Sequence, residues 1–199
     1  MELDLVVPAA KLPVSVAEAK VQAQVTTSRL DAAFGGWVRA AVDRGQLATQ
    51  RQFCTATWRA WFDDGWPAFI EVPRPPLQDV TAVEYLDIDG AWQTLAESQY
   101  AVIKPQGPHA VRGRIVPAYG VTWPSVRCQP AAIKVTFVAG YGEPDDVPAM
   151  LKLAILRDVA ALAANREDVI VGTSTTEMPR SSTDVYRSFR SRSALGRVA

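Results

Sequence analysis

Cysteine and histidine are scarce in this chain. Cys54 and Cys128 are too few for a disulfide framework and far short of a four-ligand zinc site. The single histidine, His109, lies in Gln106-Gly107-Pro108-His109-Ala110, a surface-loop sequence with no second His or Cys nearby to complete a metal or catalytic group. No apolar run approaches the roughly 18 residues of a membrane span. The opening, MELDLVVPAAKLPVS, carries acids where a signal peptide needs positive charge, so a reducing, cytosol-like compartment is expected. The sequence also lacks a Gly-rich phosphate loop, a Gly-x-Ser-x-Gly elbow and a His-Glu-x-x-His pair. No enzyme, cofactor or metal is expected.

What is present is ordinary globular material. At 199 residues the chain fits one domain with or without an appendage, by the loose yardstick of about 150 residues per domain. Its 48% hydrophobic and 21% charged residues exclude wholesale disorder and coiled-coil composition. Net charge is zero but unevenly spread. From Met178 onward Arg180, Arg187, Arg190, Arg192 and Arg197 face one acid, Asp184, giving +4. The remainder, with 16 basic and 20 acidic residues, carries −4. An acidic body is a poor general binder of phosphate backbones, whereas a basic tail suits an acidic protein surface or a nucleic acid.

The chain opens and closes with helical periodicity. Ser15 and Glu18 form a capping-box pattern for a helix to about Val25. Ser28 begins a second, whose stripe is Leu30, Phe34, Trp37, Val38, Ala41 and Val42, with Gly45 as its stop. Period-two alternation follows. Cys54, Ala56, Trp58, Ala60 and Phe62 make one apolar face, opposite Thr55, Thr57, Arg59 and Trp61. Strands are expected at 68–72, 80–88, 91–93, 100–103, 114–116 and 132–139, with Asp89-Gly90 as a tight hairpin turn. A third helix over about 147–165 carries the stripe Leu151, Ala154, Ile155, Val159 and Leu162. Residues 172–183 are crowded with Ser and Thr. Beyond them Val185, Tyr186 and Phe189 sit at helical spacing among arginines.

The expected fold class is therefore α+β. A small helical bundle from the N- and C-terminal helices would carry an inserted antiparallel β lobe (about 53–140). Residues 1–171 would form this body and 172–199 an extended basic arm with a short amphipathic helix.

Several motifs invite sharper readings that weigh less than plain ones. Asp63-Asp64 and Asp145-Asp146 suit a turn and a helix start better than acid/base chemistry. Asp87-Ile88-Asp89-Gly90 superficially suggests a calcium loop, but position 12 holds Ser98 instead of Glu. Trp37 and Trp58 lie on core-facing stripes. Trp61, Trp66, Trp92 and Trp123 fall on outer faces or loops and fit subunit interfaces. Cys54 faces the apolar side of its strand as an inert thiol; Cys128, beside Arg127, is less settled.

Taken in order, Pro13-Val14-Ser15-Val16-Ala17-Glu18-Ala19-Lys20, then Val72-Pro73-Arg74-Pro75-Pro76-Leu77, Val80-Thr81-Ala82-Val83-Glu84-Tyr85 and Asp89-Gly90, resemble the first half of a known family. Trp123-Pro124, Val135 to Gly142, Val147-Pro148 and Asn165-Arg166-Glu167 resemble its second half. The family is the head–tail connector (adaptor, or head-completion) proteins of long-tailed phages, with relatives in prophages and gene transfer agents; the likeness spans about 13–172. It implies a virion protein, assembled from the host cytoplasm, that forms a dodecameric ring between the portal and a stopper or head-closure protein. DNA would pass through without sequence recognition. The resemblance also implies that the arm reaches the portal, with Tyr186, Arg187, Phe189, Arg190 and Arg192 as the contact residues. Sixteen of the 21 basic residues are arginine, whose planar fork suits interface carboxylates. The rival expectation is a β module that recognises a glycan or single-stranded nucleic acid through exposed tryptophans.

Overall fold

The computed structural model describes residues 1–63, 65–164 and 181–192. The class is α+β, with two antiparallel sheets and four α-helices among the described residues. The chain divides into two compact units. Among the described residues, a β unit comprises Met1–Ala10, Gln50–Tyr141 and residues 191–192, and a helical unit comprises Lys11–Thr49 with residues 142–164 and 181–190.

In the β unit, strands β1 (Glu2–Val7), β2 (Ala56–Phe62), β3 (Ile70–Val72), β4 (Leu77–Leu86), β5 (Trp92–Thr94), β6 (Tyr100–Ile103), β7 (Gly113–Pro117) and β8 (Ile133–Ala139) form a five-stranded sheet, ordered β1-β2-β8-β4-β5, and a three-stranded sheet, β3-β7-β6. Register fixes which side chains face the core, because residues alternate sides along a strand. Ala60 pairs with Val135, which pairs with Val83, and Trp58 pairs with Phe137, which pairs with Val80. That face packs with Ile70, Val72, Ile115 and Tyr100 from the smaller sheet into one apolar core. The β4–β5 hairpin turns at Gly90 (φ 88°), where Asp87 Oδ1 accepts from the Asp89 and Ala91 amides at 3.0 and 2.8 Å. β1 is an addition to the strands expected from alternation. It pairs with β2 as the sheet's outer strand, with Leu3 against the core and Leu5, Val6 and Val7 exposed.

In the helical unit, α1 (Val16–Gln22) begins at the expected capping box. The Glu18 amide donates to Ser15 Oγ at 3.2 Å, and Glu18 Oε2 accepts from the Ser15 amide at 2.6 Å. A 3₁₀ turn, Ser28–Leu30, is capped by Thr27 and leads into α2 (Asp31–Thr49). α2 continues past Gly45 because Gln46-Leu47-Ala48 are strong helix formers. Thr49 Oγ1 donates back to the Gly45 carbonyl at 2.7 Å, and Gln50 (φ 56°) ends it. α3 (Ala149–Ala164) buries Leu151, Ala154, Ile155 and Val159 against Phe34, Val38, Ala41 and Val42 of α2, as the two stripes require. α4 (Ser182–Phe189) packs on α3 and α2.

Candidate interaction surfaces

An eight-residue helix is marginal in water on propensity alone, so α4 must be held by its face. Ser181 caps it, accepting from the Asp184 amide at 3.3 Å. Val185, Tyr186 and Phe189 turn inward and are all buried, Tyr186 only 2% exposed and Phe189 6%. The Tyr186 hydroxyl donates to Asp158 Oδ2 at 3.0 Å, and Arg44 Nη1 lies 3.4 Å from Asp158 Oδ1. Burial, reinforced by the Asp158 charge, pushes the Tyr186 phenol well above the ordinary tyrosine range, so it stays protonated and can donate.

This placement separates the five residues expected to contact a portal. Tyr186 and Phe189 are buried in the helical unit, where they hold α4. Arg187, with 77% of its side chain exposed, stays outside and pairs loosely with Asp184 at 3.5 Å; Arg190 and Arg192 are also exposed. The rest of the expected arm, 172–180 and 193–199, lies outside the described residues. The signal for a docked α4 was Asp158. It stands on the α3 stripe between Ala154 and Leu162, and a buried acid needs a polar partner.

The open face of the five-stranded sheet gathers Arg59, Trp61, Trp92 and Lys134. Lys134 Nζ lies 4.3 Å from the Trp92 ring centroid and 3.0 Å from Glu84 Oε1. Trp61 meets Trp92 edge to face at 6.0 Å, and its Nε1 donates to Asp4 Oδ2 at 2.6 Å. Arg59 Nε reaches Thr136 Oγ1 at 3.5 Å. These groups already satisfy one another. Trp66 and Trp123 stack on each other at 4.6 Å and pack partly buried against the core. Only Trp92, 43% exposed, stands among the large exposed apolar side chains, which is little for a stacking platform.

The carboxylates serve local structure. Asp87 Oδ2 accepts from Gln93 Nε2 at 2.8 Å, and with two amides on its other oxygen the carboxyl is held below the usual aspartate range. Asp63 Oδ1 accepts from the Ala131 amide at 2.9 Å; Asp64 lies outside the described residues. Asp146 Oδ2 accepts from the Glu143 amide at 2.8 Å at a helical turn, and Asp145 pairs with Lys152 at 3.6 Å. His109 is on an exposed loop, Cys54 is buried and Cys128 exposed. Among the described residues no group of three His, Cys, Asp or Glu is placed to hold a metal ion. No described helix is long and apolar enough to cross a membrane.

The helical unit also carries a cleft. The segment Leu12–Val16, the buried Val38 of α2 and Pro144-Asp145 before α3 enclose it, with a volume of about 380 Å³. Sequence reasoning missed it, because three distant segments converge to make it.

No family model matches the chain, and no curated protein matches it. Solved structures do. A chain in the neck of an empty GTA particle computed with C6 symmetry superposes with a TM-score of 0.79 at 23% identity, with 98% of each chain covered. The chain has that fold. A chain in the virion of a native gene transfer agent (GTA) particle superposes at 0.76 and 22% identity, and one in the neck of a native GTA particle computed with C12 symmetry at 0.75 and 24%, both with 98% of each chain covered.

Proposed function

We propose that this chain is a structural component of a gene-transfer-agent-like or phage-like particle, located in the neck as an adaptor ring between portal and stopper. The observation that carries this reading is end-to-end likeness of fold to neck chains. The C6 and C12 symmetry of those necks supports a ring, with twelve copies as the natural count. DNA would cross the lumen without being read.

The exposed arginines of the C-terminal segment, Arg187, Arg190 and Arg192, are the residues proposed to face the portal. They would pair with carboxylates on it, since an Arg fork suits such contacts. The sheet-face tryptophans favour the rival ligand-binding reading less, because Trp61 and Trp92 meet edge to face and the Trp61 indole already donates to Asp4. The test is to purify particles from cells producing a tagged chain and locate the tag. Label at the single tail-bearing vertex is expected. Label spread over the shell, or absent from particles, would refute the assignment.

A further inference from the structure

Tyr119 is an unusual residue to leave in water. Its relative exposure is 107%, so it makes no side-chain contact worth the name within its own chain. It is also held there deliberately by the backbone. Directly after β7, the Val121 amide donates to the Ala118 carbonyl at 2.9 Å, closing a turn with Gly120 at φ 75°. The Ala118 amide donates to the Gln99 carbonyl at 3.0 Å, tying that turn to the start of β6. An aromatic ring presented on a fixed turn loses little entropy when it binds.

The cleft beside α1 is the right kind of socket. The buried Val14 and Val38 line it together with Leu12 and Pro144. Lys11, Glu18, Asp145 and Lys152 supply its charged groups, Glu18 through a carboxylate that also accepts from Ser15 and Asp145 through one that pairs with Lys152 at 3.6 Å. About 380 Å³ lies at the low end for small-molecule sites and has room for one aromatic side chain. A tyrosine suits a lining that is mostly apolar with a few charged groups, since it carries an apolar body and one hydroxyl.

Resting on the ring reading above, we infer that Tyr119 of one copy seats in the Leu12–Val38–Pro144 cleft of its neighbour. Knob and socket are different surfaces of one chain, so the contact is heterologous, the type that closes rings. One tyrosine buries about 150–250 Å², well under the roughly 800 Å² per partner of a standard interface. It is therefore an anchor within a larger contact.

The test uses particles carrying a chain with Tyr119→Cys and Leu12→Cys on a Cys128→Ser background, oxidised and run on a denaturing gel. A ladder of covalent multimers is expected, absent when either introduced cysteine is left out; the remaining Cys54 is buried. Tyr119→Ala should also weaken ring association about 30-fold while leaving the melting temperature unchanged, since the side chain is fully exposed. Rings that form normally with no ladder and with Tyr119→Ala assembling like wild type would overturn the inference and leave the ring standing. Particles that hold no ring of this chain would overturn the ring reading, and the inference with it.

Discussion

Replacing Tyr186 by Phe removes one oxygen and nothing else from the core of the helical unit. The ring stays packed beside Val185 and Phe189, so the transfer energy of burial is kept. What disappears is the 3.0 Å bond to Asp158, whose carboxylate is only 6% exposed and would be left with Arg44 at 3.4 Å. Hydrogen bonds to charged groups contribute about 1.5–3 kcal/mol, and stranding the buried partner costs on the same scale. A loss of about 2 kcal/mol in urea unfolding of the full chain is expected. Combining the change with Asp158→Asn should give a coupling of about 1 kcal/mol or more. Tyr119→Phe, on a fully exposed ring, is the control and should be neutral. The same bond makes a pH prediction. The unfolded phenol titrates near its ordinary value of 10 while the folded one is held higher. Its stability contribution is thus full below pH 10 and is lost as pH rises above it. Tyr186→Phe should remove that alkaline loss. A Tyr186→Phe chain as stable as wild type, with unchanged alkaline sensitivity, would refute the reasoning.

Other outcomes follow from particular positions. At Gly140 (φ 131°) a Cβ would lie 2.7 Å from the backbone carbon and oxygen of Cys54, so Gly140→Ala should destabilise by at least about 2 kcal/mol in the same urea assay. Ser15→Ala should cost about 1 kcal/mol by removing half of the α1 capping box. The Glu18 carboxyl is held below its ordinary value, first by the Ser15 amide and then by its hydroxyl. Its contribution is present above the usual glutamate range and lost as pH falls through the lowered value, so Ser15→Ala should flatten that acid limb. Replacing Arg187, Arg190 and Arg192 together by Ala should leave far-UV circular dichroism unchanged and abolish co-sedimentation with portal-bearing heads. Normal co-sedimentation would remove these arginines from the proposed contact.

The last variant is cleaner than truncation, and the reason shows what sequence could and could not reveal. Deleting 172–199 would take Val185, Tyr186 and Phe189 out of the helical core. As residues, these three look the same whether they dock at home or on a partner, since an amphipathic helix does not name its groove. The strands from Ala56 onward were readable because strict alternation placed Ala56, Trp58, Ala60 and Phe62 on one face, and register then matched that face to β8. β1 was not, because Glu2–Val7 is an outer strand with most of its side chains exposed, and its pairing with β2 depends on residues fifty or more positions away. The stacking of Trp66 on Trp123 was hidden in the same way. Each looked like a loop aromatic until the fold brought them to 4.6 Å. Local periodicity and caps are written locally; sockets, stacks and swapped partners are made by convergence of distant segments.

If Tyr119 and its socket join neighbouring copies while the arginines face another protein, the ring closes and docks through different chemistries. Closure would be anchored by an aromatic side chain in an apolar cleft, and docking would rest on charge. The two should separate experimentally in salt, which weakens exposed ion pairs far more than buried apolar contacts.

The most direct measurement is a reconstruction of the tail vertex of particles that contain this chain, refined without imposed symmetry. The account predicts a closed ring of copies beneath the portal, with an open axial lumen and the described fold fitting each copy. Density in which the chain is missing from that vertex, or occupies it as isolated copies that do not touch, would contradict it.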